Sequence, residues 1–218
     1  MRDLLIAAPL PTIRRIPRYL NVLESFALEQ FAFVSATDIA RKLNLKPIQV
    51  RKDMAFTGIV GKPKVGYKTD ELIHAIRTFL GWDTATDAFL IGAGALGTAL
   101  LGYRGFAERG LQIVAAFDSD PEKHGKKIHG KEVFPLSRIE ELAHRMQVHI
   151  GILTVPPEAA AESAQALIDA GITGIWNFSP AEIQVPEGIT VQREDLSAGL
   201  AVLSVRMSEK EQGRNDHR

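Results

Sequence analysis

Cysteine is absent from this chain of 218 residues, which excludes a disulfide framework, thiol nucleophiles and a thiol that senses oxidants directly. Long apolar runs are missing as well. No stretch reaches the roughly 18 consecutive apolar residues of a membrane-spanning helix, and the apolar opening Met1–Leu10 is too short and too poorly flanked for a secretory signal. The chain therefore reads as a cytoplasmic protein without a membrane partner. Nothing repeats at a fixed period, and Glu209–Arg218 has the composition of a disordered tail. An excess of one charge is also lacking, since 26 Lys+Arg meet 26 Asp+Glu, but the balance hides an asymmetry. Residues 1–80 carry 13 basic against 7 acidic side chains, and residues 81–218 carry 13 against 19. A basic front joined to an acidic back points to a polyanion, nucleic acid above all, as the partner of the front.

What is present begins with helical periodicity. From Thr12 to about Gln30 the apolar residues Ile13, Ile16, Leu20, Leu23 and Ala27 recur at three and four, with arginines between them, Arg14 and Arg15 among these. Ser35 and Asp38 form a capping-box variant before a short second helix carrying Ile39, Ala40 and Leu43. A turn at Asn44–Leu45 follows, and Pro47 opens a third helix that runs to Phe56, because its missing N–H costs nothing in a first turn. Gly58 and Gly61 then break the helix, and Lys62–Tyr67 reads as a short basic hairpin. The order is helix-turn-helix plus wing. In that geometry Gln49 reaches a base edge of the major groove and Arg51 and Lys52 meet phosphates or bases. Lys62 and Lys64 lie along the backbone or in the minor groove. The alternative is that these cations form the solvated face of a small helical domain.

The second region opens with the apolar run Ala88–Ile91, which leads into Gly92-Ala93-Gly94-Ala95-Leu96-Gly97 and a helical stretch. This is the G-x-G-x-x-G fingerprint in its strand-to-helix setting, where the first glycine permits the tight turn, the second a close backbone approach to pyrophosphate, and the third close helix packing. A second buried strand, Ile113–Phe117, ends at Asp118, some twenty residues beyond the last glycine. A carboxylate there accepts from both ribose hydroxyls and repels a 2′-phosphate, which favours NAD(H) over NADP(H). The competing role for Asp118 is to cap the turn Asp118–Pro121. Further strands at Val148–Leu153 and Gly174–Asn177 alternate with helices at Ser137–Met146 and Pro157–Ala170, so the predicted fold is a doubly wound parallel sheet. Thr154-Val155-Pro156 and Asn177-Phe178-Ser179 follow strand ends, where ligands bind such sheets. They are candidates for the nicotinamide end, or residues that simply terminate strands.

No catalytic set and no metal-ligating spacing is apparent. A dehydrogenase needs an acid or base beside the nicotinamide, and His144 and His149 read as solvated, so the cofactor reads as a signal. The last helix, from about Asp195 to Met207, puts Leu196, Leu200, Leu203 and Met207 on one stripe with Ala201, Val202 and Val205 beside it. So broad an apolar face predicts packing outside its own Rossmann domain, on a second subunit or on the N-terminal domain.

The motifs Val50-Arg51-Lys52-Asp53, Gly66-Tyr67, Gly92–Gly97, Ala116-Phe117-Asp118 with Asp120-Pro121-Glu122-Lys123, Leu153–Pro156, Asn177–Pro180 and Asp195-Leu196, in this order, resemble the Rex family of redox-sensing transcriptional repressors. The resemblance implies a homodimer whose winged helices hold a palindromic double-stranded operator when NADH is scarce and release it when NADH rises. It also implies a C-terminal helix swapped between subunits. Arg14, Arg15 and Tyr67 then join the DNA-binding set. Asp195 matches the family's switch aspartate, and Tyr103 a tyrosine near the nicotinamide. Two departures stand out. Asn21 occupies the place of the arginine that pairs with the switch aspartate, with Arg18 one turn earlier as a substitute, and the wing carries Pro63-Lys64 in place of Arg-Gly. The expected division is 1–80 winged helix, 81–192 Rossmann domain, 193–210 dimerisation helix and 211–218 disordered tail. Two other readings stay open at this stage: a small NAD-dependent oxidoreductase, and a scaffold that binds coenzyme A or ADP.

Overall fold

The computed structural model describes residues 8–215, with the backbone alone for 210–215. The opening segment through Ala7 and the tail residues 216–218 lie outside the described residues. The chain forms two compact units that meet between Ala85 and Thr86, five residues beyond the boundary expected from the sequence.

The first unit contains α1 (Leu10–Leu28), β1 (Phe33–Val34), α2 (Ala36–Leu43), α3 (Pro47–Ala55), β2 (Tyr67–Lys68) and α4 (Thr69–Leu80). α1 buries Ile16, Tyr19, Leu20, Leu23 and Phe26. The stripe is rotated from the one read in the sequence, since Ile13 is 41% exposed and Tyr19 and Phe26 turn inward. α2 starts with a complete capping box. Asp38 N–H donates to Ser35 Oγ at 3.2 Å, and Ser35 N–H donates to Asp38 Oδ2 at 3.1 Å, which satisfies two orphan donors of the helix start. Pro47 stands in the first turn of α3, and Val50 and Met54 fix that helix in the core. The wing is closed by the Lys62–Gly66 bridge and anchored by β2, which pairs antiparallel with β1 through Val34 and Tyr67. α4, absent from the reading of the sequence, completes this core with Leu72 and Ile76.

The second unit contains β3 (Thr86–Ile91), α5 (Ala95–Leu101), β4 (Leu111–Asp118), β5 (Lys127–Ile128), β6 (Lys131–Pro135), α6 (Ile139–Met146), β7 (Ile150–Leu153), α7 (Pro157–Asp169), β8 (Gly174–Asn177), β9 (Thr190–Arg193) and α8 (Leu196–Asn215). Its seven strands run β5-β6-β4-β3-β7-β8-β9 across one sheet, parallel throughout except for the β5–β6 edge pair. Alternation along β3 sends Phe89 and Ile91 to a core shared with α6 and α7, and Ala88 and Leu90 to a second core under α5. Two covered faces of one parallel sheet are what a doubly wound fold requires.

The end of the chain departs from its expected division. Arg193 closes β9, so it does not open the last helix, and α8 runs on through Asn215 where a disordered tail was expected from 211. Leu196, Leu200, Val202, Leu203, Val205 and Met207 of α8 are each more than half exposed.

Candidate functional site

Counting the parallel strands in chain order, the sheet runs third, second, first, fourth, fifth, sixth, so the order reverses between β3 and β7. Ligands bind such sheets in the crevice beyond the strand ends at this reversal. The glycine loop, Gly92 to Gly97, leaves β3 there. Gly92 has φ +97°, and a Cβ on it would meet Val155 Cγ1 at 2.8 Å and the Thr154 carbonyl oxygen at 2.9 Å. A Cβ on Gly97 would strike the Gly92 carbonyl oxygen, whereas one on Gly94, the N-cap residue of α5, would meet nothing within 4 Å. Two glycines are thus demanded by packing, and the middle one leaves its backbone approachable from outside, the arrangement a pyrophosphate needs. Ala95 is exposed and Leu96 half-buried beside it.

Asp118 closes β4 on the other side of the loop. It is buried, and its carboxylate accepts from Ala93 N–H at 2.8 Å, Asp120 N–H at 2.9 Å and Lys123 Nζ at 2.9 Å. Burial works against its charge, but Lys123 and the two backbone donors outweigh it and hold the carboxyl below its ordinary range. Asp118 therefore ties the glycine loop to its strand as well as carrying the negative charge expected for a ribose partner. Lys123 and His124, whose Nε2 lies 2.8 Å from the Asp118 carbonyl oxygen, went unnoticed as site residues; the Asp-Pro-Glu-Lys turn was their signal.

At the far side of the crevice, Thr154 Oγ donates to the carbonyl oxygens of Gly92 at 2.7 Å and Ile91 at 3.0 Å. Asn177 is buried in an Asx turn, accepting from Ser179 N–H at 2.8 Å and donating to the Ala181 carbonyl at 2.9 Å. Thr154, Asn177 and the buried Ser179 thus brace the loops at this end, with Val155 and Phe178 half-buried and Pro156 exposed. Beside them runs an aromatic series that the sequence did not announce. Tyr103 meets Phe106 at 4.9 Å between centroids, Phe106 meets Trp176 at 5.3 Å, and Trp176 meets Phe178 at 5.0 Å. With Leu100, Glu194 and Leu196 they line a cleft of about 350 Å³. Trp176 Nε1 donates to Glu194 there at 3.0 Å.

Tyr103 is 59% exposed, and Asp195 is exposed and caps α8, accepting from Ser197 Oγ at 2.6 Å and Ser197 N–H at 2.9 Å. The Ser197 hydroxyl and N–H hold its carboxyl below the ordinary range. Arg18 and Asn21 lie on the exposed face of α1.

In the first unit, Arg14, Arg51, Lys52, Lys62 and Lys64 are exposed. Arg15 and Gln49 both donate to Asp53 of α3. Asp53, 1% exposed, accepts from Arg15 Nε at 2.7 Å and Arg15 Nη2 at 2.8 Å, from Tyr19 Oη at 2.6 Å, from Thr12 Oγ at 2.9 Å and from Gln49 Nε2 at 3.1 Å. Burial opposes the Asp53 charge, but these donors, Arg15 foremost, win and keep the carboxyl below its ordinary range. The bonds join α1 to α3. Tyr67 is likewise turned inward: it packs at the margin of the core beneath the wing.

A basic winged helix joined to a sheet with a dinucleotide-type glycine crevice defines a ligand-responsive DNA-binding regulator. The chain is 51% identical over 200 residues to the redox-sensing transcriptional repressor Rex of Treponema denticola, with 92% of this chain and 95% of that one covered. The chain belongs to the Rex family of redox-sensing transcriptional repressors. Residues 7–55 match the family described as "Putative DNA-binding protein N-terminus", and residues 83–181 the family described as "CoA binding domain". Among solved structures, RSP in complex with β-NAD+ and operator DNA aligns with a TM-score of 0.88 at 32% identity, covering 95% of this chain and 96% of that one. RSP in complex with β-NADH aligns with a TM-score of 0.86 at 32% identity, covering 96% and 98%. The Treponema denticola relative is named as a repressor. His144 and His149 are exposed. No helix among the described residues is long and apolar enough to cross a membrane.

Proposed function

We propose that this chain represses transcription in the cytoplasm as a homodimer on a palindromic operator and lets go of the DNA when NADH fills its crevice. The observation that carries this reading is the presence, in one chain, of an exposed basic face on α3 and the wing and of a glycine crevice backed by the buried carboxylate of Asp118. Gly92, Ala93, Gly94, Ala95, Leu96 and Gly97 hold the pyrophosphate, and Asp118 takes the adenosine ribose. Thr154, Val155, Pro156, Asn177, Phe178, Ser179 and Tyr103 frame the nicotinamide. That ring supplies the signal, since it is cationic when oxidised and neutral when reduced. Arg14, Gln49, Arg51, Lys52, Lys62 and Lys64 meet the DNA, with Arg15 and Tyr67 beside them. Asp195 and Tyr103, with Arg18 or Asn21, form the relay that links cofactor to DNA, and the exposed stripe of α8 is covered by the second subunit.

The test is fluorescence anisotropy of a labelled operator, of the kind bound in the RSP complex, titrated with NADH and separately with NAD+ at fixed salt. Release by NADH alone is the expected result; an operator complex indifferent to both nucleotides, or no complex, overturns it. The match to the CoA binding domain family favours one rival, a crevice for coenzyme A or ADP. Displacement of bound NADH by coenzyme A at equal or lower concentration would select that rival.

A further inference from the structure

A carboxylate that accepts five hydrogen bonds from four side chains does more than fasten two helices. Ionised, Asp53 only accepts, so a glutamine facing it must turn its NH2 end inward. Gln49, one helical turn before Asp53 on α3, does so: Nε2 lies 3.1 Å from Asp53 Oδ1. The two ends of a primary amide are nearly equal in shape, and the neighbouring group dictates which way each points. With one N–H committed to Asp53, Gln49 keeps its Oε1 and its second N–H for another partner. That acceptor–donor pair is the one that matches N6–H and N7 of adenine in the major groove. Arg15 is fixed by the same carboxylate through Nε and Nη2, which leaves Nη1 outside the clasp.

We infer that Asp53 is a positioning residue for base recognition, setting the amide orientation of Gln49 so that α3 selects adenine at one position of each half-site. The inference rests on the DNA-binding reading given above. Thr12 donates to Asp53 Oδ1 and Tyr19 to Asp53 Oδ2, and both bonds serve the joint between α1 and α3.

The experiment measures full-length protein against a panel of labelled operators in which each base pair is substituted symmetrically in both half-sites. Gln49→Leu should erase the preference at a single A·T position, a loss of roughly tenfold to a hundredfold in discrimination. Asp53→Asn, whose amide can face Gln49 either way round, should flatten the preference at that same position. Thr12→Val and Tyr19→Phe should retain it. An Asp53→Asn protein that binds every operator more weakly by one common factor, or a Gln49→Leu protein with every preference intact, overturns the inference while leaving the DNA-binding reading in place; wild-type protein that binds no operator overturns both. Should Asp53→Asn fail to fold, the side-chain amide protons of Gln49, assigned by their loss in Gln49→Leu, take its place. One N–H protected from exchange supports the inference, and a freely exchanging pair refutes it.

Discussion

Thr154 donates its hydroxyl to the carbonyl oxygen of Gly92 at 2.7 Å, so the end of β7 is pinned to the glycine loop that leaves β3. These are the two strand ends between which the sheet reverses its order. One side chain thereby governs how closely the walls of the crevice approach, in the place where a Cβ on Gly92 would collide with Val155.

Thr154→Val keeps the shape of that side chain and deletes the bond. Stability should fall by about 1–2 kcal/mol, the cost of a polar group left without its partner, and NADH should bind several-fold more weakly. Thermal unfolding and calorimetric titration measure the two effects. Unchanged NADH affinity would show that the crevice does not depend on this tie.

Gly97→Ala should separate the two activities. The added methyl group drives into the Gly92 carbonyl, so the loop must open and its grip on pyrophosphate is lost, while the first unit is untouched. In the anisotropy assay the variant should bind operator as the wild type does and stay bound at NADH concentrations that release the wild type. Release at wild-type concentrations would mean that the nucleotide sits elsewhere.

Asp53 sets an acid limit on the first unit. Its folded carboxyl ionises below the ordinary value, and an unfolded aspartate titrates near about 3.9. The stabilisation is therefore fully present above about pH 4 and is lost as pH falls through the lower folded value. Asp53→Asn should cost about 2–3 kcal/mol at neutral pH, and its deficit against the wild type should shrink on acidification below about pH 4. Denaturant unfolding at a series of pH values tests this; a deficit constant down to about pH 2 would contradict it.

Arg51 and Lys52 are exposed on α3, and their worth to DNA binding is read from salt. Each cation that neutralises a phosphate contributes about 0.9 to the slope of log affinity against log salt. Replacing both with alanine should weaken operator binding and lower the slope by up to about two per subunit, with NADH affinity unaltered. A slope that does not change would place the phosphate contacts on other residues.

Leu200 and Leu203 sit more than half exposed on α8, which is costly for a solitary helix in water. Under the proposed function a second subunit covers them, so Leu200→Glu with Leu203→Glu should yield a monomer by light scattering. A dimer unaffected by two charges in that stripe would move the interface to another face.

The fold was legible where one local pattern had one physical solution. The strand, glycine loop, helix and acid-ended second strand identified the nucleotide crevice, since no other residues tolerate the close approaches at Gly92 and Gly97. Ser35 and Asp38 announced the start of α2 because a capping box is satisfied within four residues. α4 was missed although Thr69–Leu80 has acids in its first turn and Gly81 after its end, because Lys68 at its start makes no side-chain cap. The aromatic series went unseen because the neighbours Tyr103 and Phe106 lie far along the chain from Trp176 and Phe178.

The sequence by itself determined the local conformations, the parallel sheet, and the two chemistries of a basic helix and an anion-cradling loop, since each depends on neighbours within a turn or a strand. Tertiary structure alone decided which polar residues are spent inside the protein. Arg15 and Gln49 each give part of their hydrogen-bonding capacity to Asp53 where α1 crosses α3, and Thr154 and Asn177 give part of theirs to backbone carbonyls. A side chain's hydrogen-bonding capacity is written in its residue type, but whether the protein consumes that capacity depends on groups that only long-range packing supplies.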